Sequence, residues 1–205
     1  MSTKKNCMGD IETLGTRPNA PVLSIGFCFF DPMTGEIGDK FYRRVDIADA
    51  MRFGVADPET IRWWFKQSDD ARHEVAKKGD PLADVLNDLS KFYNTGHDPS
   101  FWSNGPSFDA VILEYAYHRC LGQKAPWPFR NVRDVRTVVQ LAEGLEKKPA
   151  AFTKGAVAHN ALDDCIFQVG YVSKMWQALR GKDDMHPVDP YEDAVGAEPE
   201  DDDFL

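Results

Sequence analysis

Two spacings of apolar residues organise this 205-residue chain, a strand-like one first and a helical one later. Residues 21 to 31, PVLSIGFCFFD, are rich in β-formers and read as a buried strand. The turn chemistry of DPMTGEIG follows, and KFYRRVDI resumes as a strand, so residues 21 to 47 predict a hairpin. With a further strand over residues 6 to 12, three consecutive antiparallel strands are expected.

The period then lengthens. Asp57 followed by Pro58 is an N-cap and first-turn signal for a helix running through DPETIRWWFKQSDDARHEVAKK. Ile61, Trp64 and Phe65 make its apolar face, with Trp63 outside it. Leu82, Val85, Leu86, Leu89 and Phe92 recur at helical spacing in PLADVLNDLSKFY. A short strand is expected near Phe101 to Ser103, then a helix from Ser107 to Leu121 closed by Gly122. PWPFRNV connects to another short strand, and DVRTVVQLAEG predicts a helix begun by Asp134 and ended by Gly144. EKKPAAFTKGAVAH reads as a loop before a final helix, Asn160 to Arg180, striped by Leu162, Cys165, Ile166, Val169, Val172, Trp176 and Leu179. Three antiparallel strands followed by alternating helices and strands predict an α/β fold: a mixed five-stranded sheet with helices on both faces.

Charge divides the chain in two. Residues 183 to 205 hold 10 of the 33 acidic residues and no Lys or Arg, which leaves 23 acidic against 24 basic residues in 1 to 182. The body is therefore compatible with a polyanionic partner, while the tail, acidic and poor in apolar residues, is expected to be disordered. The domain reading is 1 to 182, then the tail 183 to 205. An apolar run of about 18 residues is absent, so no membrane span is expected. The first residues, MSTKKNCMGDIE, lack the apolar core of a signal peptide. Cys7, Cys28, Cys120 and Cys165 are scattered, which disfavours a disulfide framework or a cysteine zinc site and suggests reduced, cytoplasmic thiols.

The stretch MGDIETLG places Asp10 and Glu12 where a strand should be burying apolar side chains. At positions i and i+2 of a strand they share a face, roughly 6 to 7 Å apart, while Met8, Ile11 and Leu14 must be buried elsewhere. Two anions so close repel and lose hydration, so they need protons or a cation. Asp109, in FWSNGPSFDAVIL, lies in a first helical turn directly after a strand, where the helix N-terminus stabilises a carboxylate by about 0.3–1 kcal/mol. Asp164, in AHNALDDCIFQVG, lies in the last helix beside its apolar stripe, five residues after His159. Taken singly, these are a helix-start Asp, a solvated helix face and a capping His.

Taken together, D-x-E on a first strand, F-D at a mid-chain helix and H-x-x-x-x-D entering a late helix resemble the DEDDh family of 3′→5′ exonucleases, of the ribonuclease H-like superfamily. The likeness is closest to the branch with the T-even phage exodeoxyribonuclease and a mycobacterial exoribonuclease. It is carried by DIETLGT, PVLSIG, TIRWWFKQS, SNGPSFDAVIL, PWPFRNVRDVRT and HNALDDC. One small departure is Cys165, where many relatives have Ala.

The resemblance implies a ribonuclease H-like fold and a two-metal hydrolase that releases nucleoside 5′-monophosphates from DNA or RNA 3′ ends. Single-stranded DNA is the favoured substrate, RNA the alternative. Mg²⁺ or Mn²⁺ suits the hard oxygen ligands, two ions per site. Asp10, Glu12 and Asp164 are implied to hold one ion, Asp10 to bridge to a second that Asp109 helps hold, and His159 to act as general base. Leu14, Asn104 and Phe108 are candidates for holding the 3′-terminal nucleotide, and Trp63 for stacking. Arg133 and Arg136 read as phosphate contacts or as surface salt bridges, and Lys154 as a backbone-phosphate contact. Partner readings also include a homodimer, a partner protein for the acidic tail, and a bacterial or phage-infected cytoplasm. The rivals are a nucleic-acid-binding module without activity, against which all five chemical positions stand, and a nuclease that cuts internally, which His159 disfavours.

Overall fold

The computed structural model describes residues 3–145 and 159–181. Its five strands, β1 (Asn6–Thr13), β2 (Val22–Phe30), β3 (Ile37–Arg44), β4 (Ser100–Ser103) and β5 (Val132–Asp134), form one sheet in the order β3-β2-β1-β4-β5. β1, β2 and β3 pair antiparallel, and β4 and β5 join parallel to β1. This is the mixed five-stranded sheet expected. All nine residues of β2 are buried, because helices cover both sides of the sheet.

The period of two sorts the strand residues between two cores. Cys7, Ile25, Phe27, Phe29 and Phe101 face α4 (Leu82–Asn94) and α5 (Pro106–Ala116), where Leu86, Leu89, Ile112 and Leu113 meet them. Met8, Cys28, Phe30 and Trp102 face α6 (Val135–Leu141) and α7 (Ala161–Arg180), where Val135, Val138, Cys165, Val169 and Val172 meet them. Each fully buried Val, Ile, Leu or Phe contributes about 1.5–3 kcal/mol, so these two layers dominate the stabilisation of the fold.

Several elements differ from the expected ones. A short helix α1 (Ile47–Ala50), N-capped by Asp46, precedes the Asp57 signal. The helix expected over 57 to 78 is two, α2 (Pro58–Trp64) and α3 (Asp69–Ala76), because the Ser68 side chain accepts from the Ala71 N–H and starts a second helix. The break removes Phe65 from the apolar face; it is 71 % exposed at the end of α2. The helix expected to run to Leu121 is α-helical only to Ala116 and continues as a π turn, Tyr117–Leu121, before Gly122. The loop with Lys154 and the acidic tail lie outside the described residues.

One contact sets α7 against the sheet. A Cβ on Gly26 would lie 2.3 Å from the backbone carbon of Ala161 and 2.3 Å from the nitrogen of Leu162. Only glycine lets the first turn of α7 rest directly on β2, beside Asp10, the residue paired with Gly26 across the ladder. The Cys165 thiol donates to the Gly26 carbonyl at 3.1 Å, so the departure at 165 fills and ties this contact.

Candidate active site

Pairing of β1 with β4 ends at Met8–Trp102, whereas pairing with β2 continues to Thr13. The second half of β1 therefore presents an open edge at the carboxyl ends of the strands, where ligand sites form in sheets of this kind. Asp10 and Glu12 lie there on the α7 face. Met8 shares that face rather than being buried elsewhere: it lies deeper along the strand, under α7. Ile11 goes to the opposite core, and Leu14, past the strand end, packs with Leu23, Trp64 and Ala71.

Asp109 arrives from the other side of the sheet, in the first turn of α5, and is 4 % exposed. Its carboxylate accepts from the Ser103 hydroxyl and from the backbone N–H groups of Ile11 and Asp109. Burial outweighs these bonds and pushes its pKa up to about 6. Asp164 is the fourth residue of α7, whose N-cap Asn160 accepts from the N–H groups of Leu162 and Asp163. Burial raises Asp164 to about 7, against a bond from the His159 backbone N–H. Asp10 and Glu12 are raised well above the carboxylate range, first by burial and then by the surrounding carboxylates; for Asp10 these are Asp109, Glu12 and Asp164 in turn.

His159 precedes α7 with φ 66, a left-handed conformation that turns the chain sharply into the helix. Its ring stands edge-on to Trp63, with centroids 4.8 Å apart, and to Trp64 at 6.1 Å. Burial lowers its pKa. Ligand atoms of Glu12, His159 and Asp164 all lie within 4.8 Å of one another. The structure thus gathers the five residues from β1, α5 and the start of α7, with Asp10 and Asp109 joined to the trio by mutual repulsion.

Four carboxylates drawn from water into one place cannot all be ionised without positive charge among them. The donors are hard oxygens with one imidazole and no thiolate, a set that fits Mg²⁺ or Mn²⁺ rather than a structural zinc site.

Beside the cluster is a cleft of about 440 Å³ whose walls include Glu12, Thr13, Thr16, Thr60, Trp63 and Phe108. Trp63 faces outward, 41 % exposed, while Trp64 is buried and its indole N–H donates to the Thr13 carbonyl at 2.9 Å, fixing α2 to the end of β1. Leu14 and Asn104 are partly buried and do not line this cleft.

Two polar contacts were not anticipated. Gln168 Nε2 donates to Asp10 Oδ1 at 2.9 Å, and Ser103 holds Asp109. The signal for Gln168 was available, since it follows Asp164 by four residues and so shares its helix face. Neither Arg133 nor Arg136 forms a salt bridge among the described residues. The Arg133 guanidinium bonds the Arg130 and Val132 carbonyls, and that of Arg136 lies over Gly105.

Comparison with known proteins points to an exonuclease. The family described as the 3′-5′ exoribonuclease Rv2179c-like domain matches residues 5–176. The exodeoxyribonuclease of Enterobacteria phage T4 is 26% identical over 88% of this chain and 94% of its own length. Among solved structures, E. coli Exonuclease I in complex with a dT13 oligonucleotide superposes with a TM-score of 0.60 at 13% identity, covering 87% of this chain and 42% of that one. The nuclease domain of 3'hExo, a DEDDh family member bound to rAMP, superposes at 0.51 with 15% identity over 83% of this chain and 90% of that one. The chain thus spans about two fifths of the exonuclease I fold and nearly all of the smaller nuclease domain.

Proposed function

This chain belongs to the family of the 3′-5′ exoribonuclease Rv2179c-like domain, and we propose that it hydrolyses single-stranded DNA from the 3′ end, releasing nucleoside 5′-monophosphates. The observation that carries the reading is the meeting of Glu12, His159 and Asp164 within 4.8 Å, beside the partly buried Asp10 and the buried Asp109. Asp10, Glu12, Asp109 and Asp164 would hold two Mg²⁺ or Mn²⁺ ions, which supply neutralisation of charge on the attacking and leaving oxygens of a phosphodiester.

The chain's own residues supply the rest. His159, kept neutral by burial against Trp63 and Trp64, takes the proton from the attacking water at a ring nitrogen. The bond from its backbone N–H to the Asp164 carboxylate ties the position of the base to that of the acids. The cleft takes the 3′-terminal nucleotide, with Trp63 and Phe108 as apolar walls and the hydroxyls of Thr13, Thr16 and Thr60 as polar ones. Asn104 directly follows β4, outside the cleft. Leu14 acts from behind, through its packing on Trp64.

The support for DNA is the match to the phage exodeoxyribonuclease over 94% of that protein. A second reading, RNA 3′ ends, is favoured by the family's description. Incubating 5′-labelled DNA and RNA of matched sequence with Mg²⁺ or Mn²⁺ separates the two, because a ladder shortening stepwise from the 3′ end is expected on DNA. A ladder on RNA alone would transfer the assignment to RNA. A ladder unaffected by chelator, by a blocked 3′ end or by Asp10→Ala would sink the mechanism.

A further inference from the structure

We propose that Arg136 binds the phosphodiester immediately 5′ to the scissile one, so that the site recognises a polymer rather than a lone terminal nucleotide. The inference rests on the nuclease reading above and adds a specificity contact to it.

Three observations carry it. The first is placement. β5 runs parallel to β4, and β4 to β1, so α6, which follows β5 directly, begins at the same sheet edge as the carboxylates. Arg136 is the second residue of α6, and its turn is held by the Asp134 cap, which accepts from the Arg136 N–H and the Thr137 hydroxyl.

The second is the seat of the guanidinium. A Cβ on Gly105 would lie 3.0 Å from Cζ of Arg136, 3.2 Å from Nη2 and 3.3 Å from Nε. Three atoms of the guanidinium plane at nearly one distance mean that the group lies flat on the glycine. Gly105, at φ 112, is the residue from which α5 starts, with Phe108 and Asp109 in its first turn. The charge of Arg136 is felt by Asp109.

The third is that the charge is uncommitted. Arg43, Arg44, Arg52, Arg62 and Arg72 are each paired with a carboxylate. Among the described residues the Arg136 guanidinium has no ion pair and donates no hydrogen bond, although its side chain is exposed. Its planar donors suit two phosphate oxygens at once.

Direction selects the phosphate. The cleft runs from α2 past the end of β1 to Phe108 at the start of α5, whereas α6 follows β5, two strands from β1 on the side away from β2. A strand with its 3′ nucleotide in the cleft and its last linkage over the acids leaves past the start of α5 toward α6. The next phosphate then reaches Arg136.

The test compares three substrates: thymidine 5′-monophosphate p-nitrophenyl ester, which has no upstream phosphate, a short oligo-dT, and the same oligo with a neutral methylphosphonate at the penultimate linkage. For Arg136→Ala, kcat/KM on oligo-dT is expected to fall about tenfold more than on the ester, through KM. The slope of log affinity against log salt is expected to shrink by about 0.7. The methylphosphonate should cost the parent enzyme the same factor and the variant nothing further. Equal losses on ester and oligo, or methylphosphonate and variant losses that multiply, would overturn the assignment. Binding of fluorescent oligo-dT to Asp10→Ala protein, with and without Arg136→Ala, gives the same comparison without catalysis. Failure of the parent enzyme to cleave either substrate with Mn²⁺ would count against the nuclease reading, and the binding comparison would still decide on Arg136.

Discussion

Gln168 and Asp10, 158 positions apart, meet across the contact between α7 and β1, the amide Nε2 donating to Oδ1 at 2.9 Å. The carboxylate can only accept when ionised, so the bond fixes which end of the amide faces it. The other end, Oε1, is buried with no hydrogen-bond partner among the described residues. Gln168 therefore positions the Asp10 carboxylate, which the proposed mechanism assigns to the metal ions. Replacing it with Leu keeps the volume and deletes the donor. Mn²⁺ affinity, read from the free-ion electron paramagnetic resonance signal, is expected to fall about 10–100-fold, with a parallel loss of rate. Unchanged Mn²⁺ binding would show that the contact serves folding alone.

The pH–rate profile reports on His159. On the proposed mechanism the neutral imidazole is the base, so kcat/KM is expected to rise with pH through its pKa, and burial against the two tryptophans holds that pKa below the ordinary value of about 6.5. Trp63→Ala exposes the ring, and the acid limb is expected to move toward higher pH. A limb that stays in place when Trp63 is removed would rule out this burial as its cause.

Stability without metal has the opposite sign from that of most acid-sensitive proteins. Asp109 at about 6 and Asp164 at about 7 both lie above the unfolded value of about 3.9. Between those limits these two groups hold more protons in the folded chain than in the unfolded one, so their contribution to stability is greatest at the acid end and declines as pH rises to about 7. Chelator-treated protein is expected to melt at a higher temperature at pH 5 than at pH 8. Saturating Mg²⁺ should raise the melting temperature more at pH 8, where the carboxylates are free to bind it. Differential scanning calorimetry in the two buffers decides the sign.

Gly26→Ala should damage the site more than the fold. The new methyl group would overlap the backbone at Ala161 and Leu162, a clash that costs about 1–3 kcal/mol and is relieved only by shifting the start of α7. That shift carries His159 and Asp164 away from Glu12. Urea unfolding should show the modest loss, and kcat a fall on the order of tenfold or more, since small misplacements in a catalytic geometry are amplified in rate. Full activity in a stable variant would mean that the contact does not position the trio.

Ser103→Ala tests the tie to Asp109. The hydroxyl donates to the carboxylate, and its loss removes an interaction that favours the ionised form. The Asp109 pKa is expected to rise further, and a higher Mg²⁺ concentration to be needed for half-maximal rate. A Mg²⁺ requirement identical to that of the parent enzyme would remove Ser103 from the site.

Much of this protein is written locally in its chain. The apolar run of β2 specifies a strand, Asp57-Pro58 and Asn160 start helices, and D-x-E, F-D and H-x-x-x-x-D, by their resemblance to a known family, propose the acids and the base. The strand and the helices follow from short-range periodicity and capping, which act over a few residues and need no partner, whereas the acids and the base are named by that resemblance. The break at Ser68 was harder to read, because a serine inside a helical pattern competes with the backbone only when its side chain finds the Ala71 N–H. What the tertiary structure alone decided is nearness. Gly26 lets α7 touch β2 and bring Asp164 to Glu12. The end of β1–β4 pairing at Met8 opens the edge into which Asp109 reaches, and the parallel course of β5 brings Arg136 to the same edge. Gln168 meets Asp10, and His159 meets Trp63. Such contacts join residues dozens to more than a hundred positions apart, and they depend on strand order, register and the fit of backbone on backbone, which no local pattern encodes.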